Sequence, residues 1–579
     1  MIDSWQYRYS DKKVILSAFV AQDLEDLKHA ILAYVFVLRV DPGRFSDVND
    51  PEVARLTESA LEGPVSRSLI ACIEAADSAR TAVVEHGYFD IDSRSEYAIT
   101  IQRQYRFAPP ANDRVHYFDR RISLAQFTRA LTDRRYAREI RGSYLGYMIL
   151  RSDNDQHMVG RALLSPPRHR DRVLDPPRFA QRVRTLAREH VTLAGIRLAV
   201  DGVPFMEQEG AITTCASAAA WMAHYTAVLR GLTPRVPVAE LHGSPNEKDR
   251  SRGRRYPSPG LTDEQLDQAL WRGGLPPEVI PNRLLFEARP VAWHDREEIH
   301  SNPEIHEWHL ENFCAVIARY LNSGLPVLLT LGNHVILVCG YLRASQMYSE
   351  SPSQDAGQIR ALIVHDDSEG PYRVIDTAWI LSEMAPDDWV MAPVPLGVLL
   401  EGKFAEELAS KVTEAVATSV ANQLEEYGAT TEANSLRKFD EMLKRHKLSV
   451  RTYACDSSEF KHSFMRRCAD KRAQRTMQAA RLPKYVWITE IIERTRREDG
   501  QPPVVGEVII DATAPSSSAA QILVIHLPGY INAYDRLNDE TYDFACESGY
   551  YNSGRWGQRS PGFGWYGLPL NRFKSAGLP

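Results

Sequence analysis

One cysteine lies where a helix is expected to begin, in the sequence EQEGAITTCASAAAWMAHY. Small residues fill the turn after Cys215, which is typical of a buried, tightly packed helix, and Thr213 or Thr214 is placed to cap it. A thiol at that position lies at the positive end of the helix dipole, which favours the reactive thiolate. Cys215 is therefore a candidate nucleophile, whereas Cys314 and Cys339 fall inside a predicted helix and strand and fit plain core positions.

A glutamine precedes this cysteine by seven residues. The side-chain amide of Gln208 can turn back toward the thiol and donate a hydrogen bond to an oxyanion that forms when the thiolate attacks a carbonyl. Gln208 is therefore a candidate oxyanion donor.

A histidine opens a strand of otherwise apolar residues in the run HVILVCGY. The imidazole of His334 needs a polar partner, because burial without one is costly. The next predicted strand ends in Asp366 and Asp367, in VHDDSEGPY. If the two strands pair, one carboxylate reaches the imidazole, fixes its tautomer and stabilises the imidazolium, as the third member of a catalytic triad does. The other aspartate then belongs to a solvated turn.

The order of these pieces resembles the papain-like cysteine peptidases, and it is most similar to the bacterial branch that includes the bacteriocin-leader-processing peptidases. The resemblance rests on Gln208, Cys215, the run that begins at His334, and Asp366 in VHDDSEGPY, and it spans about residues 200–380. It implies an α+β domain in which a helical part precedes an antiparallel sheet. Two positions depart from the family pattern: Ala216 replaces the usual glycine or tryptophan, and Asp367 stands where the family often has proline.

The resemblance implies a thiol hydrolase that acts on a peptide or isopeptide bond, without a metal or another cofactor, and whose partner is a protein or peptide substrate. Cys215 is then the nucleophile, His334 the base, and Gln208 the oxyanion donor. Asp366, at the strand end, is the expected triad acid, and Asp367 is the alternative.

Two other functions share these residues. Transglutaminases and glutamine deamidases have the same Cys-His-Asp order, so the sequence alone does not separate them from peptidases. A catalytically silent papain-like scaffold that binds a partner protein through its outer regions is the third hypothesis.

The elements that would position these residues follow from periodicity and capping signals. A helix is expected from Cys215 to Arg230, ended by Gly231, and a second begins at Thr262, which forms a capping box with Gln265. A third helix is expected over Pro303 to Asn322, with Gly324 at its carboxyl end. The period then changes, and PVLLTLGNHVILVCGYL predicts two strands around Gly332 and Asn333, with IRALIVHDD as the next strand.

The length of 579 residues predicts several domains. We place a mixed α/β region at 1–195, the papain-like domain at 196–400, and a second α/β region at 401–579. The outer regions show elements but no catalytic motif: a helix over Leu24–Leu38, strands over Tyr97–Tyr105 and Tyr147–Arg151, a helix over Phe404–Tyr427, and strands in YVWITEII and GEVIIDA. Long Gly/Ser linkers are absent, so we expect the flanks to pack on the central domain and narrow access to Cys215.

The overall composition argues against several classes of protein. Residues are 44% hydrophobic and 25% charged with a net charge of −6, which is typical of globular proteins and gives no basic field for nucleic acid or an anionic membrane. The first residues lack a secretory signal pattern, and no apolar run approaches the ~20 residues of a membrane span. Seven scattered cysteines without CxxC argue against disulfides and a cysteine zinc site. We expect a soluble, cytoplasmic protein.

Several other clusters have plainer interpretations. The histidines in VAWHDREEIHSNPEIHEWH lack a metal-binding spacing, so surface and helix-cap positions are expected for His294, His300, His306 and His309. Two basic stretches are expected to be solvated: Arg250, Arg252, Arg254 and Arg255, and then Lys471, Arg472, Arg475, Arg481 and Lys484. The glycine- and aromatic-rich tail from Gly549 onward is expected to lie across its own protein.

Overall fold

Over the residues that the structure describes, the fold contains three antiparallel sheets with helices between and around them, so it is mixed α+β as the sequence predicts. The architecture comes from a computed structural model that describes residues 2–10, 13–40, 47–62, 67–96, 112–151, 158–167, 182–208, 214–241, 260–285, 303–343, 359–467, 471–493, 504–515, 522–535 and 540–545. The predicted strand over Tyr97–Tyr105, the arginine loop around Arg250, the residues His294 and His300, and the C-terminal tail lie outside these ranges.

The first sheet has eight strands within the described residues, in the order β1-β2-β3-β4-β5-β6-β8-β7. Its strands are β1 (Asp3–Ser10), β2 (Lys13–Val20), β3 (Thr81–Tyr88), β4 (Asn112–Phe118), β5 (Tyr144–Leu150), β6 (Val159–Leu164), β7 (Ala187–Leu193) and β8 (Ile196–Phe205). Its helices are α1 (Leu24–Ala33), which continues as a π-helical turn over Tyr34–Leu38, α2 (Pro51–Leu61), α3 (Arg67–Ala75), α4 (Leu124–Thr132) and α5 (Arg134–Gly142). Strand β8 lies beyond residue 195, the predicted end of the N-terminal region, but it pairs with β6 and β7 of this sheet.

The second sheet carries the predicted site and has six strands in the described part of the chain, in the order β13-β12-β11-β10-β14-β9. Its strands are β9 (Pro277–Pro281), β10 (Val327–Leu331), β11 (His334–Arg343), β12 (Ile359–Asp366), β13 (Gly370–Asp376) and β14 (Trp389–Pro393). The accompanying helices are α6 (Cys215–Leu229), α7 (Val238–Leu241), α8 (Asp263–Arg272), α9 (Pro303–Asn322) and α10 (Thr377–Glu383). The helices and strands predicted for this region are confirmed, including the capping box of Thr262 and Gln265.

The third sheet also has six strands over the residues that can be described, paired in chain order. Its strands are β15 (Leu448–Asp456), β16 (Tyr485–Glu493), β17 (Val504–Asp511), β18 (Ile522–Leu527), β19 (Tyr530–Asp535) and β20 (Glu540–Ala545). The long helix α11 (Gly402–Glu426) leads into it, followed by α12 (Thr430–Lys444), α13 (Ser457–Arg467) and α14 (Lys471–Ala479). The predicted helix near Phe404–Tyr427 and both predicted strands are confirmed.

Strand β11 is buried on both faces, which explains its unbroken apolar sequence. Leu337 and Cys339 belong to a core that also contains residues of the first sheet and of α6. Ile336 and Val338 point the other way, into a core shared with α9, α11 and the third sheet. The central sheet is therefore packed between the two outer regions.

Among the residues described, no helix combines the length and apolarity that crossing a membrane would require.

Replacing Trp487 of β16 tests whether the central and third sheets unfold together. The side chain is buried, its ring meets the Tyr320 ring edge-to-face at 6.1 Å, and its indole N–H donates to the Leu400 carbonyl at 2.8 Å. We expect Trp487→Ala to destabilise the whole protein by about 3–5 kcal/mol and to lower the urea midpoint of the central region as well. Trp271→Ala, at an exposed tryptophan, is the control and should change stability by less than about 0.5 kcal/mol. If Trp487→Ala lost stability only in a separate unfolding transition of the third sheet, that result would contradict this coupling.

Candidate functional site

Cys215 is the first residue of α6, as predicted, and its side chain is half-buried. The Sγ atom lies 3.9 Å from the carbonyl oxygen of Asn333 in the β10–β11 hairpin. The expected side-chain cap is wrong for Thr214: it holds the cap position but makes no capping hydrogen bond, because its hydroxyl pairs with Ser217 at 3.3 Å instead. Thr213 lies outside the described residues. The first N–H groups of α6 have no partner within the helix, so the thiol lies at its positive end.

His334 reaches the cysteine because it is the first residue of β11, directly after the two-residue hairpin loop. Antiparallel pairing places the start of β11 beside the end of β12, and His334 Nε2 lies 3.1 Å from Asp366 Oδ1. Hydrogen bonds to Asp366 and to Cys215 raise the pKa of His334 to about 10, against the opposing effect of burial. Since Nε2 is bonded to the carboxylate, Nδ1 is the nitrogen available to exchange a proton with the thiol.

Asp366 is the last residue of β12 and is held by several donors at once. Its Oδ1 accepts from the Ser368 N–H at 3.0 Å, the Ser368 hydroxyl at 2.8 Å and the Glu369 N–H at 3.3 Å, besides His334. Burial by itself would raise the pKa of Asp366, but the hydrogen bonds from His334 and Ser368 outweigh it and hold the pKa below its ordinary value. This carboxylate is thus fixed in its charged form.

Asp367 lies beside the same imidazole and is buried, so the solvated turn expected for the second aspartate is wrong. Its Oδ1 is 3.8 Å from His334 Nε2, beyond hydrogen-bond distance, and within the described residues neither carboxylate oxygen has a hydrogen-bond partner. Burial raises the pKa of Asp367 to about 7; the His334 charge opposes this rise and the Asp366 charge adds to it. The geometry therefore favours Asp366, the aspartate chosen from the sequence, as the partner that orients His334.

Gln208 lies three residues beyond β8 and is half-buried. The segment that joins it to Thr214 is outside the described residues, and Gln208 makes no hydrogen bond with the part that is described. The preceding residue is anchored, since Glu207 Oε2 accepts from the Val159 N–H of β6 at 2.7 Å. The role of Gln208 as oxyanion donor stays a prediction.

Asp388 is a site residue that the sequence analysis missed. Its buried carboxylate accepts from the Gly332 N–H at 3.2 and 3.1 Å and from the Ala385 N–H at 2.7 Å. It thereby holds the hairpin loop whose Asn333 carbonyl touches Cys215 and which delivers His334. Nothing in its sequence context, APDDW, distinguishes it from a solvated turn residue.

The remaining candidates that fall within the described ranges do not join the site. The surface or helix-cap position expected for His309 is wrong: the ring is buried, and its Nε2 bonds to the Asn282 side chain at 3.0 Å. The side chain of His306 is outside the described residues. In the second basic stretch, Lys471, Arg475 and Arg481 are exposed, as expected for a solvated surface.

Among the described residues, one group of side chains is arranged so that it could bind a metal ion. His334, Asp366 and Asp367 offer ligand atoms that all lie within 4.8 Å of one another. A cation bound there would compete with the hydrogen bond between His334 and Asp366 for the same imidazole nitrogen.

Comparisons with known proteins identify no relative. No family model, no curated protein and no solved structure matches the chain. The papain-like interpretation therefore rests on the residues and contacts described above.

The environment of His334 predicts a measurable titration. We expect the ring to stay protonated through neutral pH and to titrate near pH 10 rather than near its ordinary 6.5. Because the folded pKa is the higher one, the associated stability is complete below pH 6.5 and is lost as the pH rises through about 10. NMR of histidine-labelled protein measures this, with His334→Gln to assign the signal, and Asp366→Asn should move the midpoint toward 6.5. A wild-type midpoint near 6.5 would contradict the ion-paired arrangement.

Proposed function

We propose that this protein is a papain-like cysteine peptidase that hydrolyses a peptide or isopeptide bond. The supporting observation is that the His334 imidazole bonds to the Asp366 carboxylate at a strand end and directly follows Asn333, whose carbonyl oxygen lies 3.9 Å from the Cys215 thiol at a helix start. These three groups come from separate elements, α6, β11 and β12, and a nucleophile, a base and an orienting acid in this arrangement are what acyl transfer by cysteine requires.

Each step of the reaction has a group to perform it. The Cys215 thiolate attacks the substrate carbonyl, and the backbone N–H of Cys215 with the Gln208 amide stabilises the oxyanion. The His334 imidazolium donates its proton to the leaving amine, so the acyl group stays on sulfur. His334 then takes a proton from water, which hydrolyses the thioester and regenerates the thiol. Asp366 keeps the ring oriented and stabilises its charged form in both halves.

The outer regions support a selective enzyme. Both faces of the central sheet are covered, one by the first sheet with its helices and the other by the third sheet with its helices. We propose that residues 196–400 carry the catalysis and that the flanks restrict which substrates reach Cys215. Unfolded casein-like proteins should then be poor substrates.

A comparison of cellular N-termini tests the proposed reaction. Wild-type protein added to a proteome should create new N-termini that Cys215→Ala does not, and purified target peptides then report the variants. His334→Ala should abolish turnover nearly as fully as Cys215→Ala, because the two act as one unit. Asp366→Asn should lower kcat by about 10²–10⁴-fold, since the ring loses its orienting partner.

Asp367→Asn is the matched control, because it changes the neighbouring aspartate in the same turn. It should leave kcat within about tenfold of the wild type, because Asp367 makes no hydrogen bond to His334. A silent Asp366→Asn with a crippling Asp367→Asn would reverse the assignment. Ammonia released from glutamine peptides, without new N-termini, would indicate a transglutaminase or deamidase instead. No reaction of either kind would favour a silent scaffold.

A further inference from the structure

Each segment that carries a site residue is in contact with the N-terminal region. The first segment is held at Glu207 by β6, and α6 is tied to β7 through the Tyr225 hydroxyl, which donates to Glu189 at 2.7 Å. Strand β11 forms an isolated bridge from Gly340 to Val183. A Cβ on Gly340 would lie 2.5 Å from the Arg182 carbonyl oxygen, so only glycine permits this close approach.

The end of β12 is fixed to the first sheet by a buried histidine. His365, the residue before Asp366, is fully buried, and its Nδ1 lies 3.1 Å from the Pro204 carbonyl oxygen of β8. Its ring packs edge-to-face on Tyr372, with 4.7 Å between the ring centroids. The residue that carries the triad carboxylate is therefore flanked on its N-terminal side by a side chain fixed to the first sheet.

Tyr372 of β13 provides a second link between this turn and the first sheet. Its side chain is fully buried, and its hydroxyl donates to the Leu164 carbonyl of β6 at 2.7 Å and accepts from the Val203 N–H of β8 at 2.9 Å. One hydroxyl thus joins the two adjacent strands of the first sheet to the turn that follows Asp366. Its backbone adopts φ +56°, a left-handed conformation that is strained for a bulky side chain and persists only where surrounding contacts enforce it.

Helix α3 supports the other side of the same turn. The Ser68 hydroxyl donates to the Asp367 carbonyl at 3.0 Å, and Arg67 forms an ion pair with Glu369. Gly370 has φ +116°, and a Cβ there would lie 2.2 Å from the Ala71 Cβ, so the helix presses directly on the turn. The turn Asp366–Gly370 is thus enclosed by N-terminal elements.

We propose that Tyr372 is a positioning residue for the triad acid, and that the N-terminal region is an integral part of the catalytic unit rather than an accessory domain. This inference rests on the proposed Cys-His-Asp function. Tyr372 touches none of the reacting groups; it acts through His365 and the β12–β13 turn, which together fix where the Asp366 carboxylate stands. Misplacing that carboxylate weakens the imidazolium and, through it, the thiolate.

The rate at which iodoacetamide alkylates Cys215 at pH 6 measures the thiolate without a substrate. Tyr372→Phe keeps the ring against His365 but removes both hydrogen bonds of the hydroxyl, and it should slow this alkylation about tenfold. If Tyr372 acts through Asp366, the double variant Tyr372→Phe with Asp366→Asn should react no more slowly than Asp366→Asn alone. Mass spectrometry of the Cys215 peptide gives both rates.

Tyr453→Phe is the control, because it removes a buried tyrosine hydroxyl that donates to Glu490 at 3.1 Å in the third sheet. It should leave the alkylation of Cys215 unchanged at a comparable loss of thermal stability. Should Tyr372→Phe fail to fold, Ser68→Ala carries the test and should slow alkylation about threefold.

A folded Tyr372→Phe that reacts at the wild-type rate, or effects that multiply in the double variant, would overturn the inference. Slowed alkylation in a protein that cleaves no peptide would support the positioning role while the proposed peptidase activity fails.

Discussion

The hydrogen bond between His334 and Asp366 is the interaction on which the site depends. It is the largest of the effects that raise the pKa of the imidazole, ahead of the Cys215 thiol and the charges of the two aspartates. With it, the pKa of His334 is raised to about 10, so the ring carries a positive charge at neutral pH near the start of α6. Both partners are terminal residues of paired strands, so the bond exists only if β11 and β12 keep their register.

Two neighbouring carboxylates, Asp366 and Asp367, lie near one imidazole, and they differ in the hydrogen-bond donors that surround them. Asp366 receives hydrogen bonds from Ser368 and Glu369, whereas Asp367 is buried without such donors in the described residues. Ionising both would place two like charges in a partly desolvated turn. The carboxylate with donors is therefore the charged partner of His334, and its neighbour has a raised pKa.

Much of this arrangement could be predicted because it depends on local signals. The apolar run after His334, the Gly332-Asn333 turn and the small residues after Cys215 determine a strand, a hairpin and a helix start from nearest neighbours alone. The anchors could not be predicted, because their partners are distant in sequence: Tyr372 bonds to Leu164, and Asp388 bonds to Gly332. The pairing of β8 with β6 was likewise not visible, since β7 lies between these two strands in the sequence.

Selective alkylation of Cys215 at acidic pH tests the central claim most directly. Cys455 is the internal control, since it is also a half-buried free cysteine, and its Sγ lies 3.4 Å from the Asp456 carbonyl oxygen in the third sheet. In native protein at about pH 5.5, an ordinary thiol is almost wholly protonated, so only an ion-paired cysteine should react with iodoacetamide. We predict that Cys215 is labelled at least about 100-fold faster than Cys455, and that His334→Ala abolishes this difference. Equal labelling of the two cysteines in the wild-type protein would contradict it.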